Sequence, residues 1–231
     1  MKKHIDNIFC EKCRHSNQSL IRFCTNAEIE DINATKTCIN YKRGESLFRE
    51  GALPLGIFCV NSGTIKVVKE ASGGKEQIIR IVRAGDVIGY RSLIMQQRYT
   101  SSAFTIEESR VCLIPKEEFV KLSANNRKFY DALVQMLCRD LENSQNKMTE
   151  IAYKPVRGRV AEALILLGQM ANPQGIINLT REDLASFVGT VKETVIRVLA
   201  EFKSEHFIEI DKRNIKVLNL TGLEKLSGMY D

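Results

Sequence analysis

Residues 179–199 leave little freedom of fold. Thr180 is followed three residues later by Asp183, the spacing at which a threonine hydroxyl and an acidic side chain cap a helix start. Leu184, Ala185 and Val188 give that helix one apolar side. Gly189 then stops it, because glycine enters the left-handed region at a helix C-terminus without a Cβ clash. A second helix opens over residues 190–199, with Val195, Val198, Leu199 and Phe202 on its buried side. A short helix, a glycine turn and a second helix make a helix-turn-helix. Val191, Lys192, Glu193, Ile196 and Arg197 are left exposed where such helices touch base edges. Arginine donates two hydrogen bonds to guanine O6 and N7, and glutamate accepts one from cytosine N4. Glu193 and Arg197 stand four apart, so they share a face and can also pair with each other, as on many solvated helices. Their place directly after the glycine turn is what favours base reading. Residues 207–210 and 215–218 flank Asp211-Lys212-Arg213-Asn214, a hairpin with a basic tip able to rest on phosphates. The candidate contacts to double-stranded DNA are Thr180, Thr190, Lys192, Glu193, Thr194, Arg197, Lys212 and Arg213.

N-terminal to this unit, residues 156–170 form an apolar helix that ends at Asn172-Pro173-Gln174-Gly175, before a short strand-like run at 176–179. Lys154-Pro155 breaks the chain again, since proline lacks an N–H donor and disfavours a helical residue before it. Before the break, Phe129, Leu133, Met136, Leu137, Leu141, Met148 and Ile151 recur at helical spacing, with Ser144 in the same stripe. The stripe predicts an amphipathic helix of about five to six turns, either packed on its own domain or pairing with its twin as a dimer seam. Residues 44–115 differ in kind. Gly44, Gly51, Gly63, Gly74, Gly85 and Gly89 punctuate apolar runs at 55–60, 65–68 and 77–82, and a last strand at 110–114 ends at Pro115. Strands at this interval predict a sandwich or barrel.

The 231 residues are 44% hydrophobic and 27% charged, a globular balance without an 18-residue apolar run. The start is basic but has no apolar signal core, so a cytoplasmic protein without a membrane role is expected. A net charge of +6 permits a polyanionic partner. Only three histidines are present, one of them in the wing region, so a histidine-rich metalloenzyme centre is not available. No nucleophile elbow or Walker loop appears, and no enzyme is expected. Seven cysteines, at 10, 13, 24, 38, 59, 112 and 138, are odd in number and irregularly spaced, which argues against a disulfide framework. Cys10 and Cys13, with His15 or Cys24, could ligate zinc. Without a metal, Cys59, Cys112 and Cys138 read as small buried hydrophobes and the N-terminal pair as exposed and redox-active.

The glycine-spaced strands, the long helix, and residues 179–189 with 192–197 together resemble the Crp/Fnr family of bacterial regulators over nearly the whole chain. The resemblance implies an α+β architecture: an N-terminal double-stranded β-helix (jelly roll) of the cyclic-nucleotide-binding type, a long dimerisation helix and a C-terminal winged helix-turn-helix. The corresponding boundaries are a cysteine-containing segment at 1–25, the sensor at 26–120, the helix at 121–154 and the DNA-binding domain at 155–231. It implies a homodimer on an inverted repeat, with Glu193 and Arg197 reading each half-site and RNA polymerase as a further partner. The effector pocket would involve Gly89, Tyr90, Arg91, Ser92, Thr100 and Ser101. Cyclic-AMP-binding members carry a glutamate where Tyr90 stands and a phosphate-gripping arginine near residues 99–102, so these positions argue against cyclic AMP. Members that sense oxygen hold a [4Fe–4S] cluster with three N-terminal cysteines and one at the place of Cys112. That implies Cys10, Cys13, Cys24 and Cys112 here, with a longer gap between Cys13 and Cys24 than is usual.

Overall fold

The computed structural model describes residues 9–71, 73–170 and 175–228. The turn predicted at Asn172, Pro173 and Gln174 lies outside these residues. Three 3-10 turns, Cys10–Lys12, Ser16–Gln18 and Leu20–Phe23, lead into α1 (Asn26–Thr35). A capping box starts α1: the Thr25 hydroxyl accepts from the Glu28 N–H, and the Glu28 carboxylate accepts from the Thr25 N–H at 2.7 Å. Next come β1 (Thr37–Tyr41), β2 (Ser46–Phe48), β3 (Gly56–Ser62), β4 (Thr64–Glu70), β5 (Glu76–Arg83) and β6 (Val87–Ile88). The short α2 (Tyr90–Ile94) precedes β7 (Ser102–Thr105) and β8 (Ser109–Pro115). Two helices follow, α3 (Lys116–Asn125) and α4 (Arg127–Tyr153).

These strands form two four-stranded sheets, ordered β1-β8-β3-β6 and β2-β7-β4-β5. The pairs β1–β8, β3–β8, β3–β6, β2–β7 and β4–β7 are antiparallel, as the jelly-roll expectation requires. The run at 55–60 is nearly all apolar because the first sheet is buried on both faces. Phe58, Val60, Ile88 and Val111 meet Phe48, Ile65, Val67, Tyr99 and Ala103 between the sheets. Their neighbours Ile57, Val87 and Ile114 point the other way, under Leu20, Ile21, Ile32, Phe119, Leu122, Phe129 and Leu133. Gly63 joins β3 to β4 at φ 88°, where an added Cβ would lie 2.2 Å from the Ser109 hydroxyl oxygen. Only glycine fits that turn.

The predicted long helix is present, and at 27 residues α4 extends past the predicted stripe at both ends. Its apolar residues divide between two faces. Phe129, Ala132 and Leu133 are buried against the first sheet and the N-terminal turns, with Met136 and Leu137 partly buried beside them. Val134, Leu141, Met148 and Ile151 are exposed. The chain divides into two compact units, 1–75 with 79–141 and 76–78 with 142–231; one division falls within α4, so Pro155 lies inside the second unit. That second unit continues with α5 (Val156–Met170), β9 (Ile176–Asn178), α6 (Arg181–Val188), α7 (Lys192–Ser204), β10 (Ile208–Asp211), β11 (Asn214–Val217) and α8 (Leu220–Gly228). Its three-stranded sheet runs β10-β11-β9, and its core includes Leu164, Leu184, Val195, Leu199, Phe202, Ile215 and Leu223.

Phe129 is fully buried where α3, α4 and the N-terminal turns converge, with its ring edge-on to Phe119 at 6.2 Å. Phe129→Ala is expected to lower stability by about 3–5 kcal/mol, read from the midpoint and slope of urea unfolding. A loss below about 1 kcal/mol would contradict the packing described.

Candidate nucleic-acid interface and sensor sites

The helix-turn-helix is built as its sequence predicts. The Thr180 hydroxyl accepts from the Asp183 N–H at 3.0 Å and caps α6. Gly189 ends α6 at φ 77°. A second requirement acts at this glycine: its added Cβ would lie 3.3 Å from the Arg159 guanidinium and 3.4 Å from Ile151. Arg159, on α5, donates to the carbonyl oxygens of Val188 (2.9 Å) and Gly189 (3.2 Å). It thereby satisfies acceptors that the end of α6 leaves without helical partners. Lys147 lies over the Phe187 ring at 4.3 Å, which ties the last turns of α4 to α6.

Val195, Val198, Leu199 and Phe202 anchor α7 on its inner side. Glu193 and Arg197 are exposed on its outer side, and Thr194 and Thr190 are half-buried beside them. The two candidate base readers do not pair with each other as their spacing allowed. Arg197 instead approaches Glu201 at 3.9 Å. Glu201 is already held by Arg157 at 2.6 Å, and Arg157 also binds Glu205 at 2.7 Å. A long contact to a carboxylate already paired holds Arg197 weakly, so little is lost when it leaves for another acceptor. Lys192 pairs with Glu182 on α6. Both groups are surface-exposed, so the link is weak and open to exchange for a phosphate.

Lys212 and Arg213 form the two-residue turn of the β10–β11 hairpin, where Asp211 faces Asn214. Both are exposed, and Lys212 takes a left-handed φ of 54°. Arg181 holds this tip: its guanidinium donates to the carbonyl oxygens of Arg213 (3.2 Å) and Lys212 (3.3 Å). Arg181 is not among the contacts expected from the sequence. A usable signal was present, because a cation at the first position of a helix opposes the helix dipole and therefore needs another role.

In the sensor, the expected pocket residues have separate engagements. Gly89 precedes α2 at φ 91°. Tyr90 is buried, and its hydroxyl donates to the Asp140 carboxylate on α4. Arg80 joins them, donating to Asp140 at 3.1 Å and to the Tyr90 oxygen at 3.3 Å. Burial pushes the Tyr90 hydroxyl up to about 12, aided by the Asp140 carboxylate and opposed by Arg80. Arg91 and Thr100 are exposed, Ser92 is buried and Ser101 half-buried. Arg98 donates to the Gly51 carbonyl at 2.8 Å, and the Thr100 carbonyl accepts from Lys69 at 2.7 Å. Between the sheets, Phe48 stacks on Tyr99 at 4.0 Å and packs on Phe58 at 5.5 Å. A cyclic nucleotide needs a cavity and a buried cation for its phosphate. Here Arg91 and Arg98 are turned to solvent or to a carbonyl, and the partly buried Arg80 is engaged by Asp140 and Tyr90.

The cysteines gather elsewhere, on the outer face of the first sheet. Cys10, Cys13, His15, Lys36, Cys59 and Cys112 line a cavity of about 40 Å³. Cys10 is buried rather than exposed, and its sulfur accepts from the Lys36 ammonium at 2.9 Å. Cys13 accepts from Asn61 at 3.3 Å. Burial raises the Cys10 thiol, with Lys36 opposing, and pushes Cys24 and Cys59 up to about 12. Three expectations need correction. Cys112, expected as a fourth cluster thiolate or as a buried hydrophobe, is bonded to Cys38 in a disulfide set by strand register. Cys138 is exposed on α4. Cys24 packs on the neighbouring core without lining the cavity. In this disulfide form the residues do not fit a four-iron cluster. One of the four thiolates, Cys112, is consumed, and Cys24 stands outside the cavity that Cys10, Cys13 and Cys112 line. Nor do they fit zinc as arranged: among the described residues, no three cysteine, histidine or acidic side chains converge as ligands.

Residues 38–126 match the family model of the cyclic nucleotide-binding domain, and residues 158–226 that of the Crp-like helix-turn-helix domain. A CRP-like cAMP-activated global transcriptional regulator of Mycobacterium tuberculosis is 28% identical over 78% of this chain and 83% of its own length. The fumarate and nitrate reduction regulatory protein of Vibrio cholerae is 27% identical over 96% of this chain and 91% of its own. Among solved structures, FixK2 of Bradyrhizobium japonicum superposes with a TM-score of 0.77 at 22% identity, covering 84% of this chain and 98% of that one. A Crp/Fnr-family regulator of Thermus thermophilus gives 0.71 at 23% identity, covering 84% and 100%. Both support the fold. No helix among the described residues is long and apolar enough to cross a membrane.

The link from Arg181 to the wing yields a direct test. Arg181→Ala is expected to speed amide hydrogen exchange at residues 212–214 while leaving exchange in the α7 core unchanged. Unaltered exchange at the tip would show that Arg181 does not hold it.

Proposed function

Since the chain belongs to the Crp/Fnr family of DNA-binding transcription regulators, we propose that it acts as a cytoplasmic homodimer on an inverted-repeat operator. The observation that carries this is the open outer side of α7, where Glu193 is exposed and Arg197 is held only by a long contact to Glu201. In a major groove, Arg197 donates to guanine and Glu193 accepts from cytosine, so each half-site requires a G·C pair. Lys192 exchanges Glu182 for phosphate or guanine. Thr180, Thr190 and Thr194 flank the contact, and Lys212 and Arg213 in the wing meet the backbone. The role is regulatory rather than enzymatic, with RNA polymerase as a further partner.

The dimer reading rests on the outer face of α4. Val134, Leu141 and Met148 lie seven residues apart and exposed, flanked on the same side by the exposed Tyr130, Ser144 and Ile151. These are alternating a and d positions of a heptad seam. Leu141 and Met148 are 60% and 68% exposed, and such side chains in one stripe call for a partner. The signal enters the sensor at the cysteine cavity, where Cys10, Cys13 and Cys59 stand together as free thiols.

Arg197→Ala is expected to cost about 1–3 kcal/mol per half-site and to relax the preference at its base pair, measured by gel shift on an operator series. Unchanged affinity and preference would remove the base-reading role. Leu141→Glu is expected to convert the dimer to a monomer in light scattering. A dimer that persists would place the seam elsewhere.

A further inference from the structure

Three cysteines stand in one row across three neighbouring strands. Cys38 on β1 faces Cys112 on β8, and Cys112 faces Cys59 on β3. Residues directly opposite in antiparallel strands project from the same face of the sheet. Consistent with this, Cys59 and Cys112 line the same cavity, together with Ile114 from that face. Cys112 is bonded to Cys38, and Cys59 is a free thiol. The order β1-β8-β3 therefore puts the bonded sulfur in the middle, with its present partner on one side and a free thiol on the other.

Thiol–disulfide exchange needs this arrangement, in which a thiolate attacks one sulfur of a disulfide from the side opposite the sulfur that leaves. We propose that Cys38, Cys112 and Cys59 form a disulfide-exchange site in which Cys112 passes between its two neighbours. Cys59, kept mostly as a thiol by burial, reacts through its minor thiolate form: it gives its proton to solvent and attacks the Cys112 sulfur. A Cys59–Cys112 bond forms, the Cys112–Cys38 bond breaks, and Cys38 leaves as a thiolate that takes up a proton. One disulfide and one thiol are present before and after, so no oxidant or reductant is consumed. The cavity is changed by the transfer. With Cys38 as partner, Cys59 remains a thiol beside Cys10 and Cys13; after transfer that thiol is gone and the free one sits on β1, where Cys38 is fully buried. The site rests on the proposal that the signal enters at this cavity, and it gives that entry a chemistry. Direct linkage of Cys38 to Cys59 is excluded by geometry. Two strand spacings separate them by about 9–10 Å, beyond the roughly 7 Å limit for a disulfide.

The test maps linked peptides by mass spectrometry after acid quenching and N-ethylmaleimide trapping of the full chain purified without reductant. The wild type is expected to give Cys38–Cys112 and Cys59–Cys112 peptides, with Cys38 alkylated wherever Cys59 is linked. Cys38→Ser, treated with oxidised glutathione, is expected to raise the Cys59–Cys112 peptide at least about tenfold over wild type, since its competitor for Cys112 is gone. Cys112→Ser is expected to give no Cys38–Cys59 peptide. Circular dichroism checks that each variant is folded, and the wild-type map carries the test where one is not. Separately alkylated Cys59 and Cys112 in folded Cys38→Ser would overturn the proposal. So would a link from Cys112 to Cys10 or Cys13, or a wild-type map without the Cys59–Cys112 peptide. These maps do not involve DNA, so they fail or succeed independently of operator binding. If exchange occurs but leaves operator affinity unchanged, the chemistry stands and the assignment of the signal's entry falls.

Discussion

One helix with two apolar faces is the constraint on which the rest of this molecule depends. The inner face of α4 is consumed by the sensor, where Phe129, Ala132 and Leu133 close the core over the first sheet. Asp140 adds a polar contact there through Tyr90 and Arg80, groups that would each be costly to bury alone. Among the described residues the outer face has no such cover, and Leu141 and Met148 are exposed at a cost that a second helix would remove. In its last turns the same helix supports the reading head, through Lys147 on Phe187 and Ile151 beside Gly189. A single run of 27 residues thus closes the core of the first unit, carries an exposed apolar stripe and forms part of the base of the DNA-binding unit.

The reading head shows how ion pairs can prepare a surface without closing it. Arg157 takes up Glu201 and Glu205, which leaves Arg197 without a close carboxylate. Arg159 is directed inward, onto the carbonyls that end α6, and Arg181 onto the wing turn. These three arginines act as braces. The residues left on the outer side, Glu193 and Arg197, have the donor and acceptor pattern of a G·C reader. Charge counting alone would not separate the two sets, since all are basic or acidic residues on neighbouring helices.

What the sequence made legible was local. The cap at Thr180, the stop at Gly189, the helix from Phe129 to Ile151 and the basic hairpin tip each depend on neighbours within a few turns, and each appears in the structure, although the helix divides its predicted stripe between two faces. The strands at 55–60 and 110–114 were also legible from their apolar runs. What was hidden depends on register between distant segments. Cys38 and Cys112 are separated by 74 residues, and nothing in their spacing announces that β1 and β8 will bring them face to face. Arg80, Tyr90 and Asp140 come from β5, α2 and α4. The burial of Cys10 under Lys36 likewise follows from how the N-terminal turns fold onto the sheet, which no periodicity encodes.

The central claim is that two copies of this chain read a symmetric DNA site through α7. Selection of bound sequences from random duplexes by the full-length protein tests it most directly. The account predicts an inverted repeat with half-site centres about 10–10.5 base pairs apart, one helical turn, and an essential G·C pair in each half. Enrichment of an unsymmetric single site, or of no sequence at all, would contradict it.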